Sequence, residues 1–120
     1  MINIKITEVD ERTLMIEIIG ELLPGSAGNV EAQKINSTIQ CLPEQKTQVI
    51  LNLLDLDYSS GDYFGSIFIA LVQRHFKFSV VAKGKTRESL QNLIQYSNMD
   101  QILTINFYED TESALSGLKE

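Results

Sequence analysis

Val49-Ile50-Leu51-Asn52-Leu53-Leu54 constrains this chain more than any other stretch, because Asn52 alone interrupts an otherwise apolar run. A strand with one wet face alternates apolar and polar residues. A run without alternation is apolar toward both sides of the pleat and has to be covered from both. Parallel sheets with both faces covered place helices between their strands, so the run predicts an α/β protein.

The flanking patterns fill in that prediction. Ile2, Ile4 and Ile6 alternate with Asn3, Lys5 and Thr7; after the Asp10-Glu11-Arg12 turn, Leu14, Ile16 and Ile18 alternate up to Gly20. Two half-buried strands so closely connected predict an antiparallel hairpin. Pro24, Gly25 and Gly28 then break the pattern. Val30, Ile35, Ile39 and Leu42 follow near one face of a helix, with Ala27 and Ala32 beside them, until Pro43. Tyr63 to His75 is apolar nearly all round, which predicts a largely covered helix. Phe78 to Ala82 reads as a third buried strand. Thr86 is placed to cap a helix carrying Leu90, Leu93 and Ile94 and ending at Asn98. Ile102 to Phe107 reads as the last strand, and Asp110 as the cap of a helix with Ala114, Leu115 and Leu118 inward. The order ββαβαβαβα describes one domain over residues 1–120. It has a mainly parallel sheet, an antiparallel N-terminal edge hairpin and about four helices.

Charge and composition exclude several functions. Ten Lys and Arg against sixteen Asp and Glu give a net charge of −6, opposite to the basic footprint of a nucleic-acid or acidic-membrane binder. One Cys and one His rule out an intrachain disulfide and leave too few ligands for a zinc site; neither metal nor cofactor is expected. The N-terminus alternates where a signal peptide would be continuously apolar. The most apolar stretch, Phe64 to Val72, is far short of the about 20 residues of a membrane span. A soluble protein of the reducing cytoplasm, without direct membrane insertion, is the expectation.

Few residues suggest chemistry. Gly84-Lys85-Thr86 lies between a strand and a helix, but Ser79 stands where a phosphate loop needs its first glycine. Lys83, Lys85 and Arg87 form at most a small anion-friendly patch at that helix start. His75, with Arg74 and Lys77 near it, has no acid partner or nucleophile in sequence and suits a helix C-terminus. Cys41 reads as a small packing residue. No catalytic constellation emerges, so no enzyme is expected. Ser59-Ser60-Gly61 follows the central strand and opens a helix; a hydroxyl there caps backbone N–H groups. The same position suits a phosphoryl group, which adds about −1.5 to −2 charges where the helix dipole favours them.

Several local patterns, in their order and spacing, resemble the STAS domain, the family of bacterial anti-sigma-factor antagonists, over nearly the whole chain. Ile18-Ile19-Gly20-Glu21-Leu22 resembles the family's strand ending in Gly-Glu-Leu, and Val49-Ile50-Leu51-Asn52-Leu53 its central strand. Ser59-Ser60-Gly61 is similar to the end of its Asp-Ser-Ser-Gly loop. Ser97-Asn98-Met99-Asp100-Gln101-Ile102-Leu103 is similar to its Thr-Gly-Leu-Asp-Lys-Ile-Phe stretch, and Asp110-Thr111-Glu112-Ser113-Ala114-Leu115 to its closing helix. There are departures. Leu23 stands where the family has Asp, and Tyr58 stands in place of the loop's Asp. The chain is also about two residues short between the central strand and the next. With the gap before the serines, Ser59 is the phosphorylation position; with the gap after them, Ser60 falls on the Asp position and Gly61 on the serine.

The resemblance implies a non-enzymatic module that binds a protein partner, an anti-sigma factor with serine-kinase activity or another signalling protein. Its switch would be phosphorylation at Ser59 or Ser60. The expected surface comprises Asp57, Tyr58, Ser59, Ser60, Gly61, Asp62 and Tyr63, together with Leu23 and the rest of the Leu22 to Gly28 turn. Leu22 and Phe64 are read as core. Two alternatives stand beside this. One is a STAS-type scaffold or accessory subunit of a transporter or signalling complex, without phosphorylation. The other is a small-ligand or nucleotide-binding protein using the loops at the carboxyl ends of the strands.

Overall fold

The structure, a computed structural model, describes residues 2–58 and 63–119. Strands β1 (Ile2–Glu8) and β2 (Thr13–Glu21) form the antiparallel hairpin, in register from Ile2 opposite Gly20 to Glu8 opposite Leu14. Asp10 sets the turn by accepting the Arg12 backbone N–H through Oδ1 at 2.9 Å. The remaining elements are α1 (Ser26–Gln40), β3 (Gln48–Asn52), β4 (Leu56–Asp57), α2 (Tyr63–Gln73), β5 (Lys77–Val81), α3 (Gly84–Tyr96), β6 (Phe107–Tyr108) and α4 (Thr111–Leu118). A short 3-10 turn, Met99–Gln101, follows α3. The sheet runs β1-β2-β3-β5-β6, parallel except for the hairpin, with β4 pairing beside β2. The architecture is the α/β class expected, with one additional short strand.

The central strand is buried on both faces, as its composition requires. Val49 and Leu51 join the large core under α1, α2 and α3, while Ile50 faces the opposite side with Val81, Ala114 and Leu118, beneath α4. Asn52, the single polar residue of the run, ends the strand: its Oδ1 accepts the Leu54 backbone N–H at 3.1 Å. That local bond turns the chain away from β5, and it resumes as β4 against the upper half of β2 alone. Helix α2 gives the core several of its large side chains, with Phe64, Ile67, Phe68 and Leu71 completely buried. Each contributes about 1.5–3 kcal/mol relative to exposure.

Several boundaries differ from expectation. The last strand is confined to Phe107–Tyr108. Residues 102–106 are spent carrying the chain from the end of α3 to the sheet edge, and Ile102 is exposed. Thr86 is not the cap of α3; Lys83 occupies that position, and the Thr86 hydroxyl donates instead to the Leu56 carbonyl. Val30 is exposed on α1, whose inward face is Gly28, Ala32, Ile35 and Ile39. Cys41 is exposed, not packed. Asn98 ends α3 in the left-handed conformation, as expected. His75 does the same for α2: its N–H reaches the Val72 carbonyl at 2.9 Å and the next N–H, of Phe76, reaches Leu71 at 3.0 Å. This paired closure satisfies two carbonyls of the last turn.

Two ends of the fold are held by ionic groups. Helix α1 carries no basic residue in its last turn, and Arg74 reaches across from the end of α2 to supply one. Its Nη1 donates to the Ile39 and Gln40 carbonyls at 2.6 and 2.8 Å, and Nη2 to that of Leu42 at 2.7 Å. Arg74→Ala is expected to lower unfolding free energy by about 2–3 kcal/mol in urea titration, since part-buried carbonyls lose charge-assisted partners. Arg74→Lys should recover little, because a single ammonium cannot span the three carbonyls. Asp110 caps α4, accepting the Ser113 N–H at 2.7 Å. That bond, chiefly, holds its carboxyl below the ordinary 3.8. A depressed carboxylate stabilises above its unfolded value and ceases to as pH falls through its folded one. Asp110→Ala should therefore melt below wild type at neutral pH, with the gap closing as pH falls below about 3.8.

Candidate functional site

The candidate site lies at the carboxyl edge of the sheet, where the chain leaves β4 for α2. Its stem is held from two sides. On one side Gly20 N–H donates to the Asp55 carbonyl at 3.0 Å and Leu22 N–H to that of Asp57 at 2.9 Å, extending β2 along β4. On the other the buried Thr86 hydroxyl donates to the Leu56 carbonyl at 2.9 Å. A two-residue strand has little pairing of its own, so these bonds from β2 and α3 determine where it sits.

Buried tyrosines stand at the end of β4 and at the start of α2. Tyr58 is 1% exposed and packs its ring edge-on against Phe64, with centroids 5.0 Å apart and planes at 67°. Tyr63 opens α2, and its hydroxyl lies 3.1 Å from the Leu23 carbonyl and 3.2 Å from that of Gly25. One phenolic proton is shared between the two acceptors, tying the entrance of α2 to the turn before α1. Gly28 makes the approach possible. A Cβ at this position would collide with the Leu23 carbonyl and the Tyr63 hydroxyl, so a side chain there would push the two segments apart.

The expected site residues therefore divide. Leu23 is 44% exposed and Asp57 is exposed, and the clamp and the stem place both at this edge. Tyr58 and Tyr63 are corrected from surface contacts to core residues: their rings are buried, and they act by holding the backbone around them. Leu22 and Phe64 are buried as expected. Ser59, Ser60, Gly61 and Asp62 lie outside the described residues, and with them the choice between the two placements of the gap. Arg87 lies over the Phe107 ring, 5.6 Å from its centroid, so its guanidinium is engaged with the last strand.

Glu21 is a residue of this edge that sequence reasoning left aside. It is exposed and in register with Asp57 across the β2–β4 pair, so two carboxylates stand next to the exposed Leu23. The signal was present in Leu56-Asp57-Tyr58, whose apolar-polar-apolar alternation marks a strand too short to stand out. Among the described residues no group of three or more His, Cys, Asp or Glu is placed to hold a metal ion. Among them, too, no helix is long and apolar enough to cross a membrane. The edge presents an exposed leucine beside two carboxylates.

No protein-family model and no curated protein matches the chain. Solved structures do. An anti-sigma factor antagonist from Mycobacterium paratuberculosis superposes with a TM-score of 0.69 at 15% identity, over 100% of this chain and 96% of the other. The anti-sigma factor antagonist SpoIIAA in its unphosphorylated form gives a TM-score of 0.59 at 18% identity, over 98% and 96%. A DUF3478-family protein with a SpoIIAA-like fold from Shewanella loihica PV-4 gives 0.55 at 18%, over 98% and 93%. The chain thus has the SpoIIAA-like fold of anti-sigma factor antagonists, the fold that the resemblance to STAS domains implied.

Tyr63→Phe keeps the ring and removes the shared proton. It should cost about 1–2 kcal/mol of stability. Hydrogen–deuterium exchange of the amides in the Leu22 to Gly28 turn should accelerate, while that of β3 and β5 stays as in wild type.

Proposed function

We propose that this chain is a regulatory module of the cytoplasm that works by docking on a signalling protein, an anti-sigma factor with serine-kinase activity, and catalyses no reaction itself. The observation that carries the proposal is the Tyr63 clamp, which fixes the turn carrying Leu23 next to Glu21 and Asp57, themselves in register across the β2–β4 pair. A fold shared with anti-sigma factor antagonists supports the same reading. An exposed leucine flanked by carboxylates suits a partner surface with an apolar pocket and basic rim, the charges steering encounter and the leucine anchoring the contact. In this reading Ser59 is the switch. A phosphoryl group placed just ahead of α2 is favoured by the helix dipole, yet adds negative charge to an already acidic edge and repels such a partner.

The buried Tyr58 favours a second reading. Where an acidic residue would shape a phosphorylated loop, this chain has a core anchor, which suits a scaffold or accessory subunit that docks without being modified. One set of measurements separates the two. The wild-type chain should bind a kinase-type anti-sigma factor of its source cell in calorimetry. Leu23→Arg, with unchanged melting, should weaken that binding by about tenfold or more. Incubation with the kinase and ATP should add one phosphate, located on Ser59 by mass spectrometry and absent in Ser59→Ala. Binding without phosphate selects the scaffold; binding to no such partner defeats the docking proposal.

A further inference from the structure

A groove of about 880 Å³ runs along the outer face of the helix layer. Helix α2 forms its floor, α1 one wall, and the end of α3 with the following 3-10 turn the other. It is open because the floor carries a glycine where the walls stand apart: a Cβ added at Gly65 would meet only the Met99 sulfur, at 4.0 Å. Its volume falls within the range of about 300–1,000 Å³ typical of small-molecule sites.

The lining has a definite chemistry. Among the described residues no Asp, Glu, Lys, Arg or His lines it, although 22% of the chain is charged. Ile69 is 49% exposed on the floor, and Val72, Met99 and Leu103 continue the apolar surface. Uncharged polar residues, among them Asn29, Gln33, Gln73 and Ser97, line the rest of it, and one polar pair bridges the α1 wall and the α2 floor. Asn36 Nδ2 donates to Ser66 Oγ at 3.0 Å, which leaves the Ser66 hydroxyl proton available to an acceptor. Asn36 Oδ1 is shielded from water and accepts no hydrogen bond. A shielded acceptor without a donor is rare in folded proteins, because the lost hydration is not replaced.

We propose that this groove binds an uncharged amphiphilic small molecule. Its hydrocarbon body lies on Ile69, Val72, Met99 and Leu103. Its neutral head carries both a donor and an acceptor: the donor engages Asn36 Oδ1 when the terminal amide rotates into the groove, a rotation that gives up the Nδ2–Ser66 bond, and the acceptor takes the Ser66 hydroxyl proton. A charged head is disfavoured because nothing lining the groove compensates its desolvation. The interior backbone N–H groups of a docking helix are engaged internally, so it could meet this acceptor only through a side chain or its first turn, whereas the neutral head of a small molecule carries the donor itself. The inference does not rest on the docking function proposed above, although Tyr63, whose hydroxyl ties the sheet edge, also lines the groove.

The test uses the full chain, isotopically labelled, titrated with octanamide and separately with octanoate, and followed by amide chemical shifts. Octanamide should give saturable shifts confined to the groove, and octanoate should bind about tenfold more weakly or not at all. Ile69→Glu lies at an exposed position and should keep wild-type melting while losing about tenfold in octanamide affinity. Asn36→Leu should weaken octanamide several-fold and narrow its preference over octanoate. Absence of saturable shifts at millimolar octanamide, equal binding of octanoate, or undiminished binding by Ile69→Glu would each overturn the proposal. So would sedimentation showing a dimer that Ile69→Glu converts to monomer, since a second copy would then be the occupant.

Discussion

The shared proton between the Tyr63 hydroxyl and the carbonyls of Leu23 and Gly25 is the contact on which the geometry of this edge depends. Those segments lie about 40 residues apart in sequence, and each is a connection that packing alone leaves underdetermined. Leu22 is drawn into the core, but Leu23, one residue on, points outward. Without a tie to α2, the turn carrying Leu23 would be free to choose among many backbone paths. Tyr63 removes that freedom at the cost of a buried hydroxyl whose hydrogen bond is met. Gly28 belongs to the same device, because only a residue without a side chain lets the first turn of α1 approach the phenol.

The sheet beneath makes that device possible. Strand β2 is longer than its partners and pairs with β3 along its first half and β4 along its second. The break at Asn52 ends one pairing and allows the other. The last part of β2, still paired with β1, therefore runs past β3, and with β4 and Thr86 it builds a short platform at the edge. Helices α1 to α3 cover one face and α4 the other, so the carboxyl edge is where the fold presents its connections. Ligand and partner sites of parallel sheets gather at such edges for the same reason.

Much of this was legible in the sequence. Burial on both faces of Val49 to Leu54, the alternation of the hairpin and the inward side of α2 each specify their environment through the removal of apolar surface from water, which drives folding more than any other contribution. The girth of α2 overstated its cover, since Ile69 and Val72 are exposed. The Asp110 cap and the left-handed Asn98 followed from residue chemistry. What could not be read had a different origin. The short β4 and the truncated β6 are set by where the chain must travel between larger elements. Thr86 looked like a cap and serves as a tie, because a hydroxyl near a helix start bonds whichever carbonyl tertiary packing brings to it. Tyr58 and Tyr63 looked like contact residues and are core, since an aromatic ring in a loop fits either role until its neighbours are known. Val30 misled because its period put it near the helix face without saying how wide the covered stripe was.

In the docking proposal Tyr63, itself buried, sets the position of Leu23 for a partner. The decisive measurement is a double-mutant cycle of Tyr63→Phe and Leu23→Ala, read as calorimetric affinity for the partner anti-sigma factor. Removing the hydroxyl should weaken binding only while Leu23 is present, with a coupling energy of about 0.5 kcal/mol or more. Additive effects, within about 0.3 kcal/mol, would contradict that role for Tyr63.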